Sequence, residues 1–161
     1  MEPFLAWLEG SALGHAIRTS GLWTYAILNL THILGISSLF GAILVLDLRL
    51  LGIWRSVPVQ ALSRPVIPIA TAGFALAVLS GTCMLATNGT DYVGNPFFLV
   101  KFAAIAVGLI NVAAINRLPA WRSRNAGSPS RAGERQLAFV GAVSLVCWVT
   151  AITAGRMIGY W

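Results

Sequence analysis

The chain has 161 residues, of which 57% are hydrophobic and only 10% charged, with a mean hydropathy of +0.78. A water-soluble domain carries roughly 25% charged residues because its whole surface faces water, so this composition excludes an ordinary soluble fold and suits a protein belted by lipid. The formal net charge of +6, from 11 Lys+Arg against 5 Asp+Glu, does not point to nucleic acid, because the arginines stand between apolar runs, where membrane orientation accounts for them.

In chain order, Met1-Glu2-Pro3 offers neither a basic n-region nor a small-residue cleavage site, so the N-terminus does not read as a secretory signal peptide. Phe4, Leu5, Leu8, Ala12, Leu13 and Ile17 then recur at helical spacing, with Glu2, Glu9 and Arg18 elsewhere on the turn. That pattern predicts an amphipathic helix, either lying on the outer membrane surface or packed over the mouth of a bundle. Crossing the hydrocarbon core takes about 20 apolar residues as helix. Four runs meet that length, at about 21–46, 65–88, 96–115 and 136–155, the second opened by Arg64 and Pro65. The expected fold is all-α: a four-helix transmembrane bundle forming one integral membrane domain, with the surface helix in front. The Ser/Arg/Gly/Pro segment 122–133 reads as a mobile loop. Cys83 and Cys147 both fall inside apolar runs and read as buried thiols rather than a disulfide framework.

Charge bias sets the orientation. Arg49, Arg55 and Arg64 follow the first span, and Arg117, Arg122, Arg124, Arg131 and Arg135 follow the third. The positive-inside rule places both sets in the cytoplasm and both termini outside. Trp23, Tyr25, Tyr92, Tyr160 and Trp161 would form an outer aromatic belt, and Trp54 and Trp121 an inner one.

Ionisable and polar groups at membrane depth each require an explanation. Tyr25, Asn29 and His32 share one face of the first span, which Gly35 extends without a side chain. Phe97, Lys101, Ala104, Gly108 and Asn111 form a stripe on the third span, where Lys101 either snorkels to the interface or lines a site. Gly141, Ser144, Trp148, Ala151 and Gly155 form another on the fourth, and such small residues permit close helix approach or leave a slot for a flat ligand. Two readings of His32 stand at this point. Its imidazole is either a core hydrogen-bonding group, reaching Asn29 or Asn111, or an axial ligand to haem iron. His15 belongs to the surface segment, so a haem would be held from one side or shared with a second subunit. Asp47, two residues from Arg49, is not its natural helix partner; it reads first as a membrane-boundary anchor ahead of a helix stop at Gly52, and otherwise as a partner of Arg64 or Arg117 from a neighbouring helix end. Arg156 is either an interfacial anchor or a site for an anion or carboxylate such as Asp91. No GxxxxGK[ST], HExxH or GxSxG motif and no Cys/His cluster occurs, which argues against the commonest nucleotide, zinc and acyl-transfer chemistry.

Leu30-Thr-His32-Ile-Leu-Gly35, Gly41 through Asp47-Leu-Arg49-Leu-Leu-Gly52, Asn95-Pro-Phe-Phe-Leu-Val-Lys101, and Ser144 through Trp148 to Gly155-Arg156 resemble a family of small, uncharacterised bacterial four-helix membrane proteins. The match runs across nearly the whole chain and implies a bacterial cytoplasmic membrane location. More distantly, the layout resembles HemJ-type protoporphyrinogen oxidases and CopD-like membrane domains. That resemblance implies haem b on His32, with Arg49 and Lys101 as substrate or propionate contacts. Three functions follow as expectations. The first is a haem-binding redox protein with His32 as axial ligand and Lys101 and Arg156 as outer positive groups. The second is a membrane subunit or assembly partner without cofactor, in which Asn29, His32 and Asn111 bond helices together. The third is a transporter for a metal or small solute. Besides the lipid bilayer, a homo-oligomer or larger complex is the expected partner.

Overall fold

The computed structural model describes residues 1–124 and 130–161. Its elements are helices α1 (Glu2–Glu9), α2 (Ala12–Thr19), α3 (Leu22–Leu50), α4 (Val59–Asn88), α5 (Pro96–Ile115), α6 (Pro119–Arg122) and α7 (Arg131–Met157), with short 3-10 turns at Gly89–Tyr92 and Ile158–Tyr160. The all-α expectation holds, with no strand among the described residues. Helices α3, α4, α5 and α7 are each long and apolar enough to cross a membrane. The mobile-loop expectation for 122–133 falls partly on 125–129, which lie outside the described residues; at its far end, Ser130 caps α7 by accepting from the Gly133 amide at 3.3 Å.

The helices run past the apolar stretches. The second begins at Val59, and Pro65 and Pro68 lie inside it rather than opening it. At the end of α3, Gly52 (φ +100°) takes the left-handed conformation, while Gly52 N–H donates to Arg49 O at 3.1 Å and Ile53 N–H to Leu48 O at 3.0 Å. This paired 5→2 and 6→1 bonding stops a helix where a residue without Cβ permits the turn.

The described residues fall into two compact units, Met1–Leu39 with Thr71–Asn95, and Phe40–Ala70 with Pro96–Trp161. In the first, α3 and α4 meet backbone to backbone at Gly35 and Gly73. A Cβ on Gly35 would lie 2.7 Å from Ala77 N, and one on Gly73 2.6 Å from Leu39 N. In the second, α5 lies along α7, and Leu50, Ile115, Trp121, Leu137 and Val140 form the apolar core.

The predicted N-terminal amphipathic helix is two helices, separated at Gly10-Ser11, with Ser11 capping α2 through the Gly14 amide at 3.3 Å. Of the two placements the periodicity allowed, packing on protein describes its inner face. Leu5 is 1% exposed and sits against Gly89, and Arg18 donates to the carbonyls of Ala86 and Thr87 at 3.3 and 3.2 Å. Phe4 and Trp7 point outward.

Glu9 Oε2 accepts from both the amide and the hydroxyl of Thr90 at 2.8 Å. These bonds favour the ionised carboxylate, so its pKa lies below the ordinary 4.5. The resulting tie is fully present above that ordinary value and is lost as pH falls through the lower folded value. The protection of the α1 amides, measured against unstructured peptide at the same pH, is therefore expected to fall on acidification below pH 4.5, and Glu9→Gln should remove that acid dependence.

Candidate functional site

The imidazole of His32 is half-buried on α3 and is held from α4. Its Nδ1 lies 3.1 Å from Ser80 Oγ, and Ser80 Oγ lies 2.6 Å from the carbonyl of Leu76, one turn earlier on the same helix. A serine hydroxyl has a single proton to give. With that proton directed at Leu76 O, the Ser80 oxygen accepts, so His32 donates from Nδ1. In a neutral imidazole this is the Nδ1–H tautomer. The ring packs close against α4 because residue 81 is glycine: a Cβ there would come within 2.9 Å of Cε1 and 3.3 Å of Nδ1.

Ser80 and Gly81 were not among the residues read from the sequence as a site. A signal existed: Gly73, Ala77 and Gly81 recur every four residues on α4, marking the face on which another helix can approach closely. Pairing that face with His32, 48 residues away, required the fold.

The other predicted residues are distributed as follows. Asn29 is exposed on α3. Asn111, buried on α5, donates its amide to Val140 O of α7 at 3.0 Å. Lys101 lies along α7 at Gly155, where a Cβ would sit in ordinary contact, 3.6 Å from its Cδ and Cε. Arg156 stacks on Tyr160, its guanidinium 4.6 Å from the ring centroid, and also hydrogen-bonds the Tyr160 hydroxyl. Arg49 donates to the carbonyls of Val57 and Arg55, tying down the turn after α3. In the first unit the structure thus joins His32 to Ser80 and Gly81. In the second it joins Lys101 to Gly155 and Asn111 to α7. His15 is exposed on α2.

One expectation is corrected. Asp47 does not meet Arg64 or Arg117: it is 3% exposed, its carboxylate is hydrogen-bonded by Ser144 of α7, and its Oδ2 is buried without a hydrogen-bond partner. The helix continues three residues beyond it to Leu50, which turns the side chain toward α7 rather than leaving it at the helix end among the arginines. Of the two cysteines, Cys147 is buried and Cys83 half-buried, and both are free thiols.

Four long apolar helices whose polar side chains are largely spent on helix contacts define a multi-span α-helical membrane protein. The chain belongs to the family described as a family of unknown function, DUF6644, which matches residues 4–161. No curated protein and no solved structure matches it. The resemblance to HemJ-type and CopD-like proteins gains nothing from these comparisons.

Proposed function

We propose that this is a haem b-binding redox protein of the bacterial cytoplasmic membrane, with His32 as an axial ligand from one side. The observation that carries the reading is the Nδ1 bond from His32 to Ser80 at 3.1 Å. A metal-ligating histidine commonly donates its other ring N–H to a nearby oxygen, which fixes the tautomer and the ring plane. Ser80 supplies that oxygen and Gly81 leaves the room the ring occupies, so the donor set suits one side of a haem iron. Bound there, haem would supply one-electron transfer. The chain's own residues orient the imidazole and restrict its rotation. The role rests on His32, Ser80 and Gly81 alone. The arginines at 49–64 and 117–135 support an orientation with those turns in the cytoplasm.

The test is the visible spectrum, oxidised and reduced, of the full chain purified in mild detergent. A Soret band is expected, lost in His32→Ala. Ser80→Ala should keep the pigment but bind it about 10–100-fold more weakly, as loss of an outer partner typically does. A colourless protein from haem-replete cells overturns the reading.

A second reading has its own observation. The His32–Ser80 bond joins α3 to α4 one turn from Gly35 on α3 and two turns from Gly73 on α4, so the same pair acts as a helix tie in a cofactor-free membrane subunit. A colourless protein whose α3–α4 contact loosens in His32→Ala is the result expected of that role.

A further inference from the structure

Asp47 is buried at 3% exposure in the last turn of α3. Close approach of α7 is what buries it. A Cβ on Gly141 would lie 3.2 Å from Asp47 O and 3.0 Å from Leu50 Cβ. One turn of α7, Val140 to Ser144, thus receives the Asp47 carboxylate, bonded by Ser144, and the Asn111 amide of α5, donated to Val140 O. Around them stand Leu50 and Val140 of the apolar core.

No countercharge reaches this carboxylate among the described residues. On its own helix Arg49 is taken up by the carbonyls of Val57 and Arg55. From α7 it faces Ser144 and Gly141, both uncharged, while Cys147 is directed at Gly108 of α5. From α5 the group reaching the same turn is Asn111, a neutral amide. Oδ2 meanwhile has no hydrogen-bond partner. Removing an ionised carboxylate from water costs far more than one hydroxyl bond returns. A neutral acid has no such penalty, and it brings both an O–H donor and an acceptor to Ser144.

We propose that Asp47 and Ser144 form a proton-binding site inside the membrane domain, with Asp47 holding the bound proton as a neutral carboxylic acid. Binding converts the carboxylate to the acid, and release leaves an uncompensated negative charge on this turn. The site is therefore built to exchange a proton at the arginine-rich end of the spans. It is independent of any role for His32.

Asp47 and the exposed Asp91 are the two aspartates of the chain, so carboxyl-labelled 13C-aspartate reports on few groups. The full chain, labelled and reconstituted in lipid bilayers, is measured by infrared spectroscopy at neutral pH. The expected result is the carbonyl band of one neutral acid, shifted in deuterated buffer, retained in Asp91→Asn and lost in Asp47→Asn. Ser144→Ala should keep the band and move its frequency. Two labelled carboxylates both ionised at neutral pH would overturn the proposal, and so would loss of the acid band on adding sodium at constant pH, which marks an alkali-cation site. The wild-type spectrum alone separates these outcomes, so the test does not depend on every variant folding well.

Discussion

Gly35→Val is expected to destabilise the membrane-embedded protein by about 3 kcal/mol, the upper end of what overpacking ordinarily costs. The atoms in the way are backbone: Ala77 N at 2.7 Å, Gly73 O at 3.0 Å and Ala77 Cα at 3.1 Å from the position a Cβ would take. A flexible side chain could swing aside at little cost, but these atoms move only if α4 moves. The contact is reciprocal, since a Cβ on Gly73 would meet Leu39 N at 2.6 Å and Gly35 O at 2.8 Å. Better helix propensity works in the opposite direction, by at most about 1 kcal/mol even for alanine, and is outweighed. Gly41, with nothing within 4 Å of its Cβ position, isolates that smaller effect: Gly41→Ala should be neutral or stabilising by no more than about 1 kcal/mol. Denaturant-induced unfolding in mixed micelles, followed by tryptophan fluorescence, compares the variants. An unchanged midpoint for Gly35→Val would mean that α3 and α4 do not meet through their backbones.

The four long helices are legible because each carries an apolar run of membrane-crossing length, a signal that needs no knowledge of partners. Their ends are less so. Pro65 looks like a helix opener, since proline is welcome in a first turn, yet it lies in the seventh position of α4. There it lacks the N–H that would pair with the Ala61 carbonyl, and the surrounding helix absorbs that loss. Gly52 is the opposite case, because its positive φ is a local demand that glycine meets and announces. The face carrying His32 is visible from spacing alone, whereas its partner Ser80 is not, because periodicity describes one helix at a time. Asp47 is the instructive failure. A charge at the end of an apolar run is normally an anchor in water, and nearby arginines are its natural expected partners. The glycine at 141 changes that outcome from another helix altogether, by letting α7 close over the carboxylate. Arg49, the nearest cation in sequence, is meanwhile engaged by carbonyls of the following turn.

Gly14→Ala is expected to release α2 from the end of α4 and to leave the long helices unaffected. Its added Cβ would fall 2.3 Å from Ala86 O and 2.6 Å from Glu9 O, distances that neither carbonyl can relieve without moving its own backbone. Arg18 depends on the same geometry. Its Nη1 donates to the carbonyls of Ala86 and Thr87, and its Nη2 donates to Glu9 O at 2.9 Å. One methyl group therefore removes the close helix contact and the three bonds of the guanidinium together. Amide exchange over 12–19 should accelerate by at least about 10-fold, equivalent to about 1.4 kcal/mol of lost local protection. Arg18→Ala should show a smaller acceleration over the same residues, because it removes the bonds while leaving the backbone contact in place. The comparison in bilayers also separates the two placements that amphipathic periodicity alone leaves open. A helix held by α4 loses its protection in Gly14→Ala, while a helix held by lipid through Leu13 and its neighbours keeps it. Unchanged exchange would assign the anchoring of α2 to the membrane surface instead of to α4.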